Sequence, residues 1–315
     1  MENMIVRFFE KFTRYVKKPS RIFIFLGERG YLNWMPEKFY IKLQFWAHTG
    51  YRLNLNEPKT FNEKLQWLKL YNRKSEYTSM VDKYEAKKLV AKKIGENFII
   101  PTLGVWNSFD EIDFNKLPNQ FVLKCTHDSG GLVVCKDKRS FDKRKAKKKI
   151  EASLKKKFFF VGREWPYKNV PPRIIAEKFL DDNGHVPIDY KIYCFNGNPY
   201  KVMLCLDRDK EEPTKFYSFD FKWNLLRHNL RGMNAPEEFT LPKPRTIDFM
   251  FESAKILSQG IPFVRVDFYD LLGHMYFGEM TFYPDSGWDS AILPEIDKLY
   301  GTMINLSTLK NGSCL

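Results

Sequence analysis

Residues 263–269 read Phe-Val-Arg-Val-Asp-Phe-Tyr, and residues 275–281 read Met-Tyr-Phe-Gly-Glu-Met-Thr. Both runs are short and largely apolar, and the segment between them has the composition of a turn, so they predict a β-hairpin. If the connection spans Leu271 to Met275, the register pairs Asp267 with Glu279 on one face of the sheet. The hairpin is therefore predicted to carry two carboxylates that face each other.

Two like charges in such a pair call for a cation. At about 4 Å they repel each other by roughly 4 kcal/mol at an effective dielectric constant near 20. A magnesium ion that also holds phosphate oxygens would neutralise both Asp267 and Glu279. Arg265 lies two residues before Asp267 on the same face and offers the alternative, in which the hairpin carries an ordinary salt-bridge cluster.

The composition is that of a folded globular protein. Of the 315 residues, 43% are hydrophobic and 16% are aromatic, which is ample for one large domain or two packed ones. The five cysteines are scattered, odd in number and include no C-x-x-C pair, so neither a disulfide framework nor a zinc site is indicated. The longest apolar run near the start, residues 22–26, is too short for a signal peptide or a membrane span. We therefore expect a cytoplasmic protein.

Half of the net charge of +14 lies in one segment. Residues 142–157 hold nine Lys or Arg residues against two acids, and Ala146, Ile150 and Leu154 recur every four residues. This pattern predicts an amphipathic helix with a basic outer face. That face is either simply solvated or makes peripheral contact with an anionic membrane, to which an amphipathic stretch at residues 5–16 could contribute. The local concentration of charge argues against nucleic acid as a partner.

The order of helical and extended patterns predicts an α+β protein with antiparallel strands. The first 77 residues look mostly helical, with a helix at residues 59–71 whose start is capped by Asn62 and Glu63. A second helix is predicted from Ser79-x-x-Asp82 to Gly95, and a third at residues 244–258 leads into the acidic hairpin. Besides the hairpin, the predicted strands lie at residues 102–106, 120–126, 132–135, 173–180, 188–195, 200–206 and 215–221.

A glycine loop at residues 127–131 joins two of these strands. Gly130 and Gly131 permit a tight turn whose N–H groups can converge on an anion, and Lys124 ends the strand that enters the loop. The loop is not a Walker loop, which needs a G-x-x-x-x-G-K-[ST] sequence and a following helix. It is either an anion-binding loop or a plain hairpin turn.

Six motifs occur together in a fixed order: Phe61-Asn-Glu-Lys-Leu-Gln-Trp67, Asp82-Lys83, Phe121-Val-Leu-Lys124, Asp189-Tyr-Lys-Ile-Tyr193, Arg265-Val-Asp-Phe-Tyr269 and Phe277-Gly-Glu-Met-Thr-Phe282. In this order the chain resembles the ATP-grasp superfamily, and more closely the TupA-like ATP-grasp proteins of teichuronopeptide and surface-polysaccharide synthesis. The resemblance covers about residues 42–287.

The resemblance implies an ATP-grasp fold, in which two α+β subdomains with antiparallel sheets grip ATP. A mostly helical region would precede them at residues 1–77. The subdomains would then cover residues 78–180 and 181–304, and a tail would follow at residues 305–315.

The resemblance also implies which residues bind the nucleotide. Lys83 and Lys124 would reach its phosphates, and Asp189 would contact the ribose hydroxyls. The flexible cover over the phosphates would be the glycine loop, with His127, Ser129, Gly130 and Gly131. The hinge strand beside the adenine would supply Glu177, Lys178, Phe179 and Leu180.

Further roles concern the metal and the reacting groups. Asp267, Glu279 and Thr281 resemble the ligands of Mg²⁺, although many ATP-grasp enzymes have Asn where this chain has Thr281, so that one of two metal sites is open to question. The candidate catalytic cations are Lys191, Arg208 and Arg265.

The implied reaction joins a carboxylate to an amine at the expense of ATP. The carboxylate attacks the γ-phosphate and forms an acyl phosphate, from which the amine then displaces phosphate. The resemblance suggests an acidic sugar or glycan as the carboxylate and an amino acid or another amine as the nucleophile. Such catalysis depends on positioning and charge neutralisation, so lysines, Mg²⁺ and backbone amides suffice.

Two other functions compete with this one. Asp207-Arg-Asp209 follows a strand, and a D-x-D triplet can hold the metal of a sugar nucleotide in a glycosyltransferase. That fold begins with alternating strands and helices, which the N-terminal sequence does not offer. A non-enzymatic module that binds nucleic acid or an anionic surface would account for the basic helix, but not for the acidic hairpin or the glycine loop.

Overall fold

The strands form two antiparallel sheets, as predicted. The computed structural model of the protein describes residues 20–182, 184–206, 214–230 and 232–310. The four-stranded sheet has the order β1-β4-β2-β3, and the six-stranded sheet has the order β10-β9-β5-β6-β7-β8. The strands are β1 (Thr102–Trp106), β2 (Phe121–Cys125), β3 (Leu132–Cys135), β4 (Ile174–Lys178), β5 (Asp189–Phe195), β6 (Asn198–Leu206), β7 (Lys215–Phe219), β8 (Leu225–Leu226), β9 (Phe263–Leu271) and β10 (His274–Thr281).

Helices precede and cover these sheets, and the first of them confirm the predicted helical N-terminal region. The predicted amphipathic stretch at residues 5–16 lies outside the described residues, and the domain boundaries stay predictions. The helices are α1 (Arg21–Glu28), α2 (Glu37–Thr49), α3 (Phe61–Tyr71), α4 (Glu76–Val81), α5 (Glu85–Ile94), α6 (Lys143–Leu154), α7 (Phe159–Gly162), α8 (Ile247–Ser258), α9 (Pro294–Met303) and α10 (Ser307–Lys310).

Helix α3 is capped differently from the prediction. Its N-cap is Thr60, whose hydroxyl accepts a hydrogen bond from the Glu63 backbone N–H at 3.2 Å, while the Glu63 carboxylate accepts one from the Thr60 N–H at 3.1 Å. This reciprocal arrangement is a capping box. Asn62 lies inside the helix, and its side-chain amide donates instead to the carbonyl of Asp289 at 3.2 Å.

The single helix predicted from Ser79 to Gly95 is wrong, because the chain breaks at Asp82. Helix α4 ends at Val81 and α5 begins at Glu85, and between them Asp82 has an extended backbone. Its carboxylate accepts hydrogen bonds from the N–H groups of Tyr84 at 2.8 Å and Glu85 at 3.2 Å. Asp82 thus caps the second helix, and the break sets the direction of the next residue, Lys83.

The acidic hairpin has the predicted pairing but reaches it by another route. Leu271 pairs with His274, so the turn is one residue shorter than expected, and Glu279 nevertheless lies opposite Asp267. The register shifts at Gly278, which forms a β-bulge. A Cβ atom there would lie only 3.0 Å from the Asp267 carbonyl oxygen, which favours glycine at this position.

Two cores support the sheets. The smaller one fills the space between the four-stranded sheet and α6, where Ala146 and Ile150 pack against strand residues such as Leu123 and Ile174. This confirms the predicted basic helix, whose apolar stripe faces inward. The larger core lies on the six-stranded sheet and receives helices α3, α4, α5, α8 and α9. Within the described ranges, no helix is long and apolar enough to cross a membrane.

Candidate active site

Asp267 is the centre of a charged cluster on the six-stranded sheet. It is 1% exposed and receives two hydrogen bonds from Arg265, from Nε to Oδ1 and from Nη2 to Oδ2, each at 2.7 Å. Lys191 lies opposite Asp267 on β5 and contacts it at 2.7 Å and Asp189 at 2.5 Å. Antiparallel pairing of β5 with β9 therefore brings Asp189 and Lys191 next to the Arg265 and Asp267 pair, which is distant in the chain.

The charges of this cluster hold its members ionised despite burial. Burial raises the pKa of Asp267, but the positive charges of Arg265 and Lys191 outweigh this effect and hold the pKa below its ordinary value. Burial likewise lowers the pKa of Lys191, and the charge of Asp267 reverses the direction, so that its pKa is raised. Asp267 is consequently a carboxylate and Lys191 an ammonium at neutral pH.

Glu279 completes the acidic pair and is more open to solvent. Its side chain is 46% exposed, and its carboxylate lies 3.5 Å from Arg265 Nη2. The Thr281 hydroxyl accepts a hydrogen bond from the same Nη2 at 3.1 Å. Arg265 thus touches both acids, as the salt-bridge alternative required.

The donor set also fits a magnesium ion that arrives with phosphate. Among the described residues, no three His, Cys, Asp or Glu side chains are grouped as a self-sufficient metal centre. Mg²⁺ usually takes one or two carboxylates from the protein and the rest of its oxygens from phosphate and water. Asp267 and Glu279 match that requirement.

A second buried cluster lies on the four-stranded sheet around Glu177. Lys124 Nζ contacts its Oε2 at 2.5 Å, and Lys87 contacts its Oε1. Lys87 is itself buried and donates to the Ile100 carbonyl at 2.7 Å. Burial raises the pKa of Glu177, but the two lysines outweigh it and lower the pKa to about 2. The carboxylate of Glu177 thereby fixes the position of the Lys124 ammonium group.

Lys83 is positioned by the break between α4 and α5. Its backbone N–H donates to the Thr126 carbonyl at 3.1 Å, and its Nζ donates to the carbonyl of Asp128 in the glycine loop. The preceding Asp82 is anchored by Arg173, whose Nη2 lies 2.7 Å from Asp82 Oδ2. Lys83 therefore reaches the loop from a fixed backbone.

The glycine loop is folded onto helix α6. Asp128 accepts hydrogen bonds from the Gly131 N–H at 3.3 Å and from the Ser153 hydroxyl. A Cβ atom on Gly131 would collide with Ser153, so the close approach of loop and helix requires glycine. His127 is buried beneath the loop, and its Nε2 lies 3.1 Å from the Lys156 carbonyl oxygen.

Two neighbouring cavities open between these clusters. One has a volume of about 420 Å³ and is lined largely by apolar side chains, together with the predicted hinge residues Glu177, Lys178, Phe179 and Leu180. The other, of about 270 Å³, is polar. It is lined by Lys83, Lys124, Ser129, Gly130, Gly131, Asp189, Lys191, Asp267 and Glu279, among others. Lys124, Leu132, Glu177 and Tyr269 line both cavities, so the two lie side by side.

Most of the predicted site residues are therefore brought together, with four exceptions. His127 is buried at the start of the loop and lines neither cavity. Arg265 and Thr281 contact the acids but do not line either cavity. Arg208 is outside the described residues, as is the D-x-D triplet. The roles assigned to all of these side chains stay predictions.

Sequence reasoning missed the residues that hold the lysines in place. Asp82 was noted only as part of a motif, and Arg173 only as the start of a strand. Lys87 offered no signal of this role, because nothing in the sequence distinguishes it from the neighbouring lysines of α5. Tyr269, which borders both cavities, offered no signal beyond its place in the acidic strand.

The low pKa of Glu177 predicts acid sensitivity. A carboxyl whose pKa is about 2 in the folded protein and 4.5 in the unfolded chain stabilises the fold fully above pH 4.5, and this contribution is lost as the pH falls towards 2. At pH 3 the loss should amount to roughly 2 kcal/mol. Urea unfolding at pH 7 and pH 3 measures the loss of unfolding free energy between these two pH values. We expect this loss to be smaller in Glu177→Gln than in the wild type, by roughly 2 kcal/mol.

A matched control is Glu252→Gln, which changes an exposed glutamate of α8. This variant should show the full wild-type drop, because all other titrating groups are shared. An equal drop in the Glu177 variant would mean that the lysines do not hold this carboxylate ionised.

Comparisons with known proteins show which family the chain matches. A family model described as TupA-like ATPgrasp matches residues 63–305. No curated protein matches the chain. Among solved structures, D-alanine–D-alanine ligase from Bacillus anthracis complexed with ATP is 14% identical and has a TM-score of 0.44, with 75% of this chain and 69% of that chain covered.

Two further solved structures are similar in the same way. The D-alanine–D-alanine ligase from Helicobacter pylori is 14% identical, with a TM-score of 0.41 and coverage of 77% of this chain and 65% of that chain. The ATP-grasp ligase PsnB, complexed with minimal precursor, Mg and ADP, is 11% identical, with a TM-score of 0.37 and coverage of 74% and 59%.

Proposed function

The chain belongs to the TupA-like ATP-grasp family and is an ATP-grasp ligase, and from this premise we propose that it joins a carboxylate to an amine through an acyl phosphate, using ATP and Mg²⁺. The predicted family and the predicted α+β ATP-grasp fold are confirmed by the match over residues 63–305. The observation that carries the proposed reaction is the polar cavity, which is lined by Lys83, by Lys124 of the four-stranded sheet and by Lys191 and the acids of the six-stranded sheet.

The paired cavities support the proposed nucleotide site. A purine base fits an apolar cleft bordered by a strand edge, and the 420 Å³ cavity beside Glu177 to Leu180 has this character. The triphosphate would extend into the polar cavity, where Lys83, Lys124 and Lys191 offer three positive charges. One nucleotide would extend from the first cavity into the second past Lys124, which lines both.

The acids of the hairpin would serve the metal. Asp267 and Glu279 are the residues that would hold Mg²⁺, and when bound the ion would neutralise charge on the phosphate oxygens. Arg265 and Lys191 keep Asp267 ionised and in a fixed orientation through three hydrogen bonds. The protein's own contribution is thus a rigid set of charges prepared before the substrates arrive.

The reaction itself needs little covalent help from the protein. An oxygen of the substrate carboxylate would attack the γ-phosphorus, the bond to the bridging oxygen would break, and ADP would leave. The amine nitrogen would then attack the acyl carbon, inorganic phosphate would leave, and the nitrogen would lose a proton to solvent. Lys191, which lines the cavity beside Asp267, would stabilise charge on the transferring phosphoryl group.

We extend the proposal to the substrates and the cellular setting. The carboxylate would be an acidic sugar or glycan and the amine an amino acid or a similar compound, in surface-polysaccharide synthesis on the cytoplasmic side. The family resemblance supports this class of substrate. The glycosyltransferase alternative finds no such support, because the strand pairs of the described sheets are antiparallel.

Calorimetry tests the nucleotide site. We expect ATP with Mg²⁺ to bind and UDP- or GDP-sugars with Mn²⁺ not to bind. Lys124→Met should weaken ATP binding about ten- to a hundredfold, because a charge-assisted hydrogen bond is worth roughly 1.5–3 kcal/mol. If Lys124 contacts the outer phosphates, the loss should be larger for ATP than for ADP.

Lys136→Met is the matched control, since Lys136 is exposed and lines neither cavity of the site. Its affinity for ATP should equal that of the wild type. Binding of a sugar nucleotide without any adenine nucleotide would overturn the proposed function, and equal small losses for ATP and ADP would remove Lys124 from the phosphate site.

A further inference from the structure

The helical hairpin of α1, α2 and their connecting turn exposes an unusual number of large apolar side chains. Trp34 is 77% exposed and Phe39 is 68% exposed, although tryptophan and phenylalanine are usually largely buried. We call the exposed set the aromatic patch; it consists of Ile22, Phe25, Tyr31, Trp34, Phe39 and Trp46. Exposed apolar patches on a soluble surface commonly mark an interaction site.

The inner side of this hairpin is firmly attached to the rest of the protein. Gln44 donates to the Phe23 carbonyl at 2.7 Å and so ties α1 to α2, while the Tyr40 hydroxyl donates to the Val161 carbonyl at 2.8 Å. Arg163 is buried and donates to three carbonyls of the connecting turn, including that of Leu32 at 3.1 Å. The aromatic patch is therefore the outer face of a fixed support.

A basic cavity adjoins the patch where α1 ends. It has a volume of about 300 Å³ and is lined by Arg29 and by Lys155, Lys156 and Lys157, with Glu28 as its one acid among the lining residues. The three lysines follow α6 directly. Residues 1–19, which enter the hairpin, add five basic residues against two acids by sequence. Positive charge therefore adjoins the aromatic patch at the end of α1.

We propose that the aromatic patch and residues 155–157 form a docking surface for an anionic lipid bilayer. Tryptophan, tyrosine and phenylalanine favour the headgroup level of a membrane, and lysines beside them attract acidic headgroups. A second copy of the chain would bring the same positive charge and be repelled. Aromatic residues that stack on nucleotides line grooves, whereas these lie on the outer face of a helical hairpin.

This surface differs from the membrane contact predicted from the sequence. There, the basic outer face of helix α6 was expected to make the contact, with a contribution from an amphipathic stretch at residues 5–16. The structure buries Ala146 and Ile150 of α6 against the four-stranded sheet, so the helix offers only its basic face. The apolar part of the proposed surface comes from the hairpin instead, and the proposal does not depend on the ligase reaction.

Vesicle co-sedimentation of the full chain tests the proposal. At low salt the wild type should pellet with vesicles of phosphatidylcholine containing 30 mol% phosphatidylglycerol, roughly, and not with phosphatidylcholine alone. Substituting Lys155, Lys156 and Lys157 by Gln should lower partitioning on the order of a hundredfold, since each basic residue near acidic lipid contributes about a factor of five to ten. Trp34→Ser with Phe39→Ser should lower it roughly tenfold, and added salt should weaken the wild type.

Matched controls distinguish binding through this surface from nonspecific adsorption to vesicles. Lys92→Gln with Lys93→Gln removes exposed charge from α5, and Leu272→Ser removes an exposed apolar side chain from the β9–β10 turn. Both controls should bind vesicles like the wild type, and every variant should keep the wild-type melting temperature and affinity for ATP.

Three results would overturn the proposal. In the first, the wild type stays in the supernatant with acidic vesicles at low salt. In the second, the Trp34 and Phe39 variant binds these vesicles as the wild type does. In the third, a single-stranded oligonucleotide displaces the protein from the vesicles at equal phosphate concentration, and its binding requires the same aromatic residues. That result would assign the surface to nucleic acid.

Discussion

Glu279→Gln is expected to lower ATP turnover by about a hundred- to a thousandfold while leaving the fold intact. The substitution keeps the shape of the side chain and removes the charge that would help to hold Mg²⁺ against the phosphates. Because the side chain is 46% exposed and makes only long contacts, with Arg265 Nη2 at 3.5 Å and with the Thr281 hydroxyl at 3.4 Å, stability should change by less than about 1 kcal/mol. Phosphate release from ATP and urea unfolding measure the two effects.

Asp267→Asn should have the same effect on turnover and a much larger one on stability. It leaves Arg265 and Lys191 buried without the carboxylate that both contact, and breaking a buried pair in this way costs about 3–5 kcal/mol. In calorimetry, Mg²⁺ should tighten ATP binding to the wild type and fail to do so in either variant.

Asp248→Asn, an exposed change on α8, serves as the control and should alter none of these quantities. If both hairpin variants kept full turnover and a full response to Mg²⁺, the hairpin would be a salt-bridge cluster, and the proposed role of its acids would be wrong.

Lys69→Met is the second change with a large expected effect, on stability alone. Lys69 is fully buried on α3 and donates at 2.7 Å to the carbonyls of Gly162 and Ser286, and its Nζ lies 4.3 Å from the centre of the Trp288 ring. Burial lowers its pKa to about 7, against the opposing charge of Glu164. Removing the amine leaves buried acceptors without a donor and the buried Glu164 carboxyl without a nearby positive charge, for a loss of about 3–5 kcal/mol.

A double-mutant cycle separates the interaction between Lys69 and Glu164 from the packing of the Lys69 side chain. Combining Lys69→Met with Glu164→Gln should destabilise less than the sum of the single changes, because the second change removes the group that the first leaves behind. Lys64→Met on the same helix removes one hydrogen bond, to the Ile304 carbonyl at 2.8 Å, and should cost only about 1 kcal/mol. Additive effects of the first two substitutions would show that Lys69 and Glu164 do not interact.

The local features of the fold could be predicted because they leave a local pattern. Alternating apolar residues predict the strands of the hairpin, and regular spacing of Ala146 and Ile150 predicts the inner face of α6. The motifs that resemble the ATP-grasp family predict which acids and lysines meet, and the polar cavity contains most of them.

What could not be predicted depends on contacts between distant parts of the chain. The break at Asp82 is stabilised by Arg173, which is 91 positions away, while the nearby Ser79 only imitates a capping box. Lys87 of α5 binds Glu177 of β4, and these two elements are far apart in the chain, so no single segment encodes the contact. The same is true of Lys69, whose partner carbonyl at Gly162 is 93 positions away.

The bulge at Gly278 has a consequence for recognising related chains. If the hairpin kept its turn between Leu271 and His274 but had no bulge, residue 278 would lie opposite Asp267. The second acid would then have to be at position 278 in order to face Asp267. Two spacings of the acids along the chain, eleven or twelve positions, therefore describe the same arrangement in space. A search pattern with one fixed interval would separate relatives that differ only by this single residue, whereas a pattern that allows either interval would unite them.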